Sequence, residues 1–162
     1  MERAAELGGF YAAHGLWFIA EGEPLVPLLG QDTPVQGQDI LRFRGDDPEQ
    51  AVAGACAHLD ANPHGVERAI LVHDGQFESD GGTAEALIAM VRCYREPRST
   101  LVIALPYRRA QPGQDFGLLR PRVLGWEGEP RPNWHALMGA FFRGFQMHTA
   151  AAQVWAENEG EP

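Results

Sequence analysis

The pattern of apolar and polar positions marks four stretches of this chain as strands. Residues Ala69 to Phe77 and Thr100 to Tyr107 are rich in aliphatic and aromatic side chains, which favour a pleated, half-buried conformation. Residues Ile40 to Arg44 show the same character over a shorter length. Residues Phe116 to Trp126 predict a further strand, and Pro121 predicts a bend within it.

A hairpin is predicted near the N-terminus. Two apolar and aromatic runs, Leu16 to Ala20 and Leu25 to Leu29, flank the turn-forming sequence Glu21-Gly22-Glu23-Pro24. Prolines at positions 24 and 27 cannot donate to a strand ladder, so the second arm should lie at a sheet edge.

The best-marked helix begins at Asp47. Asp47 is an acidic N-cap, Pro48 occupies the first helical position, and Gln50 is placed to close a capping box. The sequence Asn62-Pro63 predicts the end of this helix, because the residue before proline is pushed away from helical geometry.

Helices are also predicted at both ends of the chain. Residues 2 to 14 predict a short, weak helix, because Gly8 and Gly9 interrupt the apolar spacing. After Pro130-Arg131-Pro132, Asn133 is a favourable cap for one continuous helix whose apolar face extends to Trp155. That helix would span about 24 residues, or roughly 36 Å.

Residues 83 to 95 fit two different structures. Ala84, Leu87 and Val91 recur at helical spacing, whereas the preceding turn sequence Ser79-Asp80-Gly81-Gly82 favours the return strand of a long hairpin. We favour the strand. A helix here would instead introduce one parallel crossover into the sheet.

These elements predict an α+β fold with a mainly antiparallel sheet of about five to seven strands, packed by the capped middle helix and the long C-terminal helix. The length of 162 residues matches one domain. We assign residues 1–156 to that domain and residues 157–162 to an acidic, frayed tail. The aromatic face around Trp155 is costly to leave in water, so we expect a homodimer through the C-terminal helix.

Composition excludes several function classes. All 13 basic residues are arginine, so lysine-dependent phosphate-binding loops and enzymes that form a lysine Schiff base cannot operate here. The formal net charge of −9 argues against nucleic-acid binding, which draws on a basic surface. No apolar run approaches the roughly 18 residues of a membrane span, and the N-terminus does not resemble a secretory signal, so we expect a cytoplasmic protein without membrane association.

Conventional catalytic and metal-binding patterns are absent from the sequence. His58, Asp60 and His64 lie close together, but Pro63 breaks the helix between them and no zinc template matches. Cys56 and Cys93 are too few for a thiolate metal site and are expected to be reduced thiols. The sequence therefore predicts neither a metal nor a cofactor.

Three further observations concern side chains that could act as a nucleophile or as a general base. Strand alternation places His73 and Asp74 on opposite faces, so each would need a partner from elsewhere in the chain. His148 lies among aromatic residues and is interpreted as a packed side chain. Neither Ser79 nor Ser99 lies in a GxSxG motif, which argues against a serine hydrolase.

Arginines on the predicted strands suggest an anion-binding surface if residues 83 to 95 form a strand. The pairs that share a face are Arg42 with Arg44, Arg92 with Tyr94, and Arg120 with Arg122. Guanidinium groups on one side of a sheet bind carboxylate or phosphate through forked hydrogen bonds. The competing interpretation is a solvated face whose arginines pair with the surplus acids.

Two functional hypotheses follow from the sequence. The first is a non-catalytic cytoplasmic module that binds a protein partner or a small anionic ligand. Its ligand-binding residues would be Arg92, Tyr94, Tyr107, Arg120, Arg122 and His73. The second is an enzyme of unrecognised type whose pocket is centred on His73 and Asp74, with Arg92 or Tyr107 beside them.

Overall fold

The structure of the protein is a computed structural model that describes residues 1–33, 37–79 and 82–158. The elements in chain order are α1 (Glu2–Ala20), β1 (Leu28–Thr33), β2 (Gly37–Arg42), α2 (Pro48–Ala61), β3 (Arg68–Ser79), β4 (Gly82–Cys93), β5 (Ser99–Arg108), β6 (Gly117–Leu118), β7 (Arg122–Glu127), α3 (Trp134–Gln146) and α4 (Thr149–Asn158). The strands pair antiparallel in the order β2-β1-β3-β4-β5, and both β6 and β7 pair with β5. The predicted α+β fold with an antiparallel sheet is confirmed.

Helices cover both faces of the sheet, but unequally. The larger core joins apolar side chains of α1, α3 and α4 to one face of strands β3, β4 and β5, which we call the α1 face. A smaller core joins Ala55 and Leu59 of α2 to Leu29 and Leu71 on the opposite side, which we call the α2 face. The two cores result from strand alternation, which sends successive side chains to opposite faces.

Helix α2 begins and ends as the sequence predicts. The carboxylate of Asp47 accepts a hydrogen bond from the N–H of Glu49 at 2.9 Å, and Pro48 occupies the first helical position. Asn62 ends the helix in the left-handed conformation, with φ of 42°.

Helix α1 is longer than predicted. It continues through the range Leu16 to Ala20, so the hairpin predicted there is wrong, and strand β1 starts only at Leu28. Leu16 and Ile19 are almost fully buried against the sheet. Burial of this face against the core stabilises a helix whose local propensity is weak.

The contact between α1 and α3 is a close approach of two backbones. A Cβ atom at Gly9 would lie 1.8 Å from the carbonyl oxygen of Phe141, and one at Gly144 would lie 1.7 Å from that of Glu6. Neither position has room for a side chain. Gly8 and Gly9 therefore do not interrupt the helix, and the prediction that they do is wrong.

The C-terminal helix is divided at residues 147 and 148, contrary to the prediction of one continuous helix. The Nδ1 atom of His148 accepts a hydrogen bond from the N–H of Ala151 at 3.2 Å and so caps α4. After this break Trp155 packs back onto Phe145, with ring centroids 5.3 Å apart. In a continuous helix ten residues would separate these rings by about 15 Å along the axis. Helix α4 includes residues 157 and 158, and the rest of the predicted acidic tail lies outside the described residues.

The sequence of residues 83 to 95 is compatible with a helix or a strand, and the structure has strand β4 there. Strand β4 pairs with β3 along its whole length. The turn residues Asp80 and Gly81 lie outside the described residues. The strand predicted from Phe116 to Trp126 is in fact two strands, β6 and β7, and Pro121 lies in the interval between them. Proline cannot donate to a ladder, which accounts for the interruption.

Replacing Gly9 or Gly144 with alanine should destabilise the fold. The new methyl group would overlap a backbone carbonyl that cannot rotate away, so we expect each variant to lower the free energy of unfolding by about 3 kcal/mol. Urea denaturation measures this change.

Gly139→Ala, in the same helix as Gly144, is the matched control. The nearest atom to its new Cβ is Nη1 of Arg143 at 3.7 Å. The better helix propensity of alanine should make this variant neutral or more stable by up to about 1 kcal/mol. Equal losses at positions 139 and 144 would contradict the backbone contact.

Candidate functional site

The arginines on the predicted strands are divided between both faces of the sheet. Arg42 is paired in register with Leu28, whose side chain belongs to the core on the α1 face. Arg92 donates a hydrogen bond to Asp60 of α2 and therefore lies on the α2 face. Arg42 and Arg92 therefore lie on opposite faces of the sheet, and the structure does not bring them together. Side chains alternate between the two faces along each strand, so the strand register decides which face each arginine takes.

The other predicted site residues are divided in the same way. Strand register places His73, Arg92, Tyr94 and Arg122 on the α2 face and Tyr107 on the α1 face, while Arg120 lies between β6 and β7. Arg120 and Arg122 are exposed. A ligand-binding role for these residues stays a prediction, but they do not form one surface.

Arg92 and Tyr94 brace the end of helix α2. The hydroxyl of Tyr94 donates to the carbonyl of Leu59, and Arg92 donates to the carboxylate of Asp60. A recess of 280 Å³ lies beside both side chains. Within the described part of the chain, the Nε of Arg92 is buried without a hydrogen-bond partner, while its Nη1 is committed to α2.

His73 faces away from the network that Asp74 forms. Its Nδ1 lies 2.9 Å from the backbone carbonyl oxygen of Asp74, so Nδ1 carries the proton and donates it. Burial lowers the pKa of His73, and the imidazole is therefore neutral at neutral pH. This is a satisfied structural position.

Asp74 is the centre of a closed polar network on the α1 face. Its Oδ1 accepts from the hydroxyl of Tyr107 at 2.5 Å, and its Oδ2 accepts from Nη2 of Arg109 at 2.5 Å. Arg109 also donates to the hydroxyl oxygen of Tyr107 at 2.8 Å and to Glu85 at 3.2 Å. These four side chains join strands β3 and β4 to the end of β5.

The hydrogen bonds of this network hold neighbouring strands together, and we call it a structural lock. Burial and the hydrogen bond to Asp74 raise the pKa of Tyr107, so its phenol stays protonated, donates to Asp74 and accepts from Arg109. A cavity of 290 Å³ adjoins Asp74 and Arg109. Each carboxylate oxygen of Asp74 already accepts one hydrogen bond, so a substrate would compete with Tyr107 and Arg109 for it.

A different cavity combines charge with apolar surface. It has a volume of 520 Å³ and opens between the start of α1, the start of α3 and the turn that joins β4 to β5. We call it the N-terminal cavity. Its floor includes the buried Cys93 and Leu137 and the half-buried Trp126. Its charged lining residues are Glu2, Arg3, Arg68, Arg95, Glu96, Glu129 and Arg131.

Some of the arginines that line this cavity already form ion pairs, and others do not. Arg68 pairs with Asp32 at 2.6 Å, and Arg95 pairs with Glu67. Arg3 and Arg131 are exposed and make no ion pair within the described residues. These two guanidinium groups are therefore open to an external anion.

The acids on the rim limit how much negative charge the cavity tolerates. Glu96 forms an ion pair at 3.3 Å with Arg98, which is not among the lining residues. Glu2 and Glu129 are exposed on the same rim as Arg3 and Arg131. The local charge is close to neutral, which favours a ligand with a single negative group over a polyanion.

Two helix N-termini also line the N-terminal cavity. Helix α1 begins without a side-chain cap, and α3 begins at Asn133, which caps the N–H of Ala136 at 3.2 Å. The first N–H groups of each helix lack intrahelical partners and carry a partial positive charge of roughly half a unit. Together with Arg3 and Arg131 they form a favourable environment for an anion.

Sequence reasoning missed Arg3 and Arg131 as candidate residues. In the sequence, Pro130-Arg131-Pro132 indicates only the stretch before a helix, and Arg3 lies in a predicted weak helix. The available signal was an arginine beside each predicted helix start. The packing of α1 against α3 brings these two helix starts to one cavity, and the sequence alone does not show that packing.

The histidines near the end of α2 do not form a metal site. The rings of His58 and His64 lie with centroids 5.6 Å apart, but Asp60 pairs with Arg92 instead of approaching them. Among the residues that the structure describes, no group of three or more histidine, cysteine or acidic side chains is arranged to hold a metal.

Comparison of the chain with protein-family models, curated proteins and solved structures found no match. Among the described helices, none combines the length and the apolarity needed to cross a membrane.

Tyr107→Phe should test whether the Asp74 network is a structural lock. The variant removes a donor to a charged carboxylate, so we expect the free energy of unfolding to fall by about 2 kcal/mol. Tyr94→Phe removes a hydrogen bond to a neutral backbone carbonyl and should cost about 1 kcal/mol. Urea denaturation compares the two variants, and a larger loss at Tyr94 would contradict the lock.

Proposed function

We propose that this protein is a non-catalytic cytoplasmic module that binds a small anionic ligand in the N-terminal cavity. The observation that supports this function is an apolar floor beneath a rim with two arginines, Arg3 and Arg131, that lack ion-pair partners among the described residues. The cavity volume of 520 Å³ lies in the range typical of small-molecule sites.

The arrangement suits an amphipathic anion. The apolar body of such a ligand would lie against Trp126 and Leu137, where it displaces water from apolar surface. Its carboxylate or phosphate would accept forked hydrogen bonds from Arg3 or Arg131 at the rim. Both contributions are needed, because exposed charge pairs alone contribute little free energy.

The lining of this cavity supports binding without catalysis. The Ser99 hydroxyl donates to the Sδ of Met1 at 3.4 Å, and Cys93 is buried. No histidine is among the described residues that line the cavity, so neither side chain has a neighbouring imidazole base.

An enzyme centred on His73 and Asp74 remains the alternative hypothesis. It has less support, because the two side chains face opposite sides of the sheet and each oxygen of the Asp74 carboxylate already accepts a hydrogen bond. Of the two partners that the sequence suggested, Arg92 is committed to Asp60, whereas Tyr107 donates a hydrogen bond to Asp74.

The ligand proposal is tested with naphthoate, an aromatic carboxylate, and naphthamide, its neutral counterpart. Isothermal calorimetry at low salt should show naphthoate binding to the wild type. Arg3→Gln and Arg131→Gln should each weaken naphthoate binding about tenfold, because each removes a charge-assisted hydrogen bond worth about 1.5 kcal/mol. Naphthamide binding should be the same in all variants.

Arg108→Gln is the matched control for this experiment. Arg108 is an exposed arginine outside the N-terminal cavity, so its replacement changes net charge without touching the site. Naphthoate affinity should equal that of the wild type. The proposal is wrong if the Arg3→Gln, Arg131→Gln double variant binds naphthoate as the wild type does, or if Arg108→Gln weakens it equally.

We also propose that the chain forms a homodimer through its C-terminal helices. Trp155, whose expected exposure suggested this, packs on Phe142 and Phe145 of its own chain. Support now comes from Met147, which is 66% exposed at the junction of α3 and α4 and lines one recess with the half-buried Leu7 and Phe10.

Light scattering at micromolar concentration should give twice the mass of one chain for the wild type. Met147→Gln should shift the mass to that of a monomer, because it places a polar amide in an apolar interface. Ile40→Gln, at an exposed apolar position on β2, should remain dimeric. A monomeric wild type contradicts the dimer.

A further inference from the structure

Two histidines join helix α1 to the break between α3 and α4. The Nδ1 of His14 lies 3.4 Å from the Nε2 of His148. The rings pack among Phe10, Trp17 and Phe18. Neither histidine lines the N-terminal cavity, so this contact is independent of the proposed ligand site.

Hydrogen bonding determines which nitrogen of each ring carries a proton. The Nδ1 of His148 accepts from the N–H of Ala151 at 3.2 Å and is therefore unprotonated. Neutral His148 then carries its proton on Nε2 and donates it to the Nδ1 of His14. Neutral His14 in turn carries its proton on Nε2, which lies 3.5 Å from Nη2 of Arg42 without a hydrogen bond, because both atoms are donors. This arrangement of protons satisfies the cap of α4 and the bridge to α1 together.

We propose that this histidine pair is an acid-sensitive latch, in which protonation of either imidazole releases helix α4 from α1 and α3.

Each protonation removes a specific contact. A proton on Nδ1 of His148 would face the N–H of Ala151, which destroys the cap and places positive charge at a helix N-terminus. A proton on Nδ1 of His14 would face the N–H of His148, so two donors would oppose each other. Either change weakens the attachment of α4.

The charged surroundings also oppose protonation. From strand β2, Nη2 of Arg42 lies 3.5 Å from Nε2 of His14, and its guanidinium stacks over Phe18 with the carbon 5.7 Å from the ring centroid. From the α3–α4 junction, His14 faces only His148. Among the described residues, no carboxylate forms an ion pair with either imidazole. Nothing at this contact compensates a second positive charge.

The sign of the pH dependence follows from these contacts. Burial, together with His148 and Arg42, lowers the pKa of His14 below its ordinary value of 6.5. The docked state therefore binds fewer protons than the released state. The docking free energy is fully present above about pH 6.5 and declines as the pH falls through the lowered pKa of His14.

Release of α4 would uncover an apolar surface. Ala151 is fully buried, and Trp155 covers Phe142 and Phe145 with centroid distances of 5.6 and 5.3 Å. Helix α4 has only ten residues, which is too short to remain helical alone in water. Loss of the latch should therefore unfold α4 as well as undock it.

Hydrogen exchange measured by mass spectrometry tests the latch on the full chain. The protection of α4 amides, corrected for intrinsic exchange rates, should fall about tenfold or more from pH 7.5 to pH 5.0. Amides of α2 should keep their protection over the same range, which separates release of α4 from global unfolding. Equal protection of α4 at both pH values in the wild type overturns the proposal.

Substitutions identify the groups responsible. In His14→Gln and His148→Asn neither side chain titrates, and Asn at 148 can still cap α4 through its amide oxygen. The double variant should retain α4 protection at pH 5.0. His135→Gln, which removes an exposed histidine of α3, should behave as the wild type. Persistent acid sensitivity in the double variant contradicts the latch.

A direct measurement covers the case in which the double variant leaves α4 unprotected at both pH values. Nitrogen NMR of the wild type at pH 7.5 should show His148 protonated at Nε2 and unprotonated at Nδ1. The opposite tautomer would remove the physical basis of the latch and overturn the proposal.

Discussion

The packing of helix α1 against α3 is the constraint on which the other features of this protein depend. The backbones touch where Gly9 meets Phe141 and where Gly144 meets Glu6, with no space for a side chain at either glycine. Because such a contact allows little sliding or rotation, it sets the relative position of the two helices. Both helix starts then line the N-terminal cavity, and His14 meets His148 beyond the crossing.

The distribution of charge bears on where the proposed anion would bind to this acidic protein. The chain has 22 carboxylates and 13 arginines, and six of the arginines form ion pairs among the described residues. Arg68, Arg92 and Arg109 are held by acids on neighbouring elements. Arg3 and Arg131 line the N-terminal cavity and form no ion pair among the described residues, so we assign the proposed anion to them.

Local signals predicted the elements that depend on local chemistry. The cap at Asp47, the end at Asn62 and the three central strands follow from side chains near each position in the sequence. The full length of α1 and the break at His148 did not follow, because both depend on burial against partners distant in sequence. The arginine surface was anticipated from alternation alone, and strand register divided it between two faces.

By itself, the sequence determined the α+β class, the antiparallel sheet and the absence of lysine chemistry. These features depend on residue type and on spacing over a few positions, which short-range sterics and hydrogen bonding control. Only the tertiary structure decided that glycines in α1 are points of contact, that two helix starts share one cavity, and that His14 and His148 meet. Those outcomes depend on close packing between segments more than a hundred residues apart, where a single Cβ atom would change the geometry.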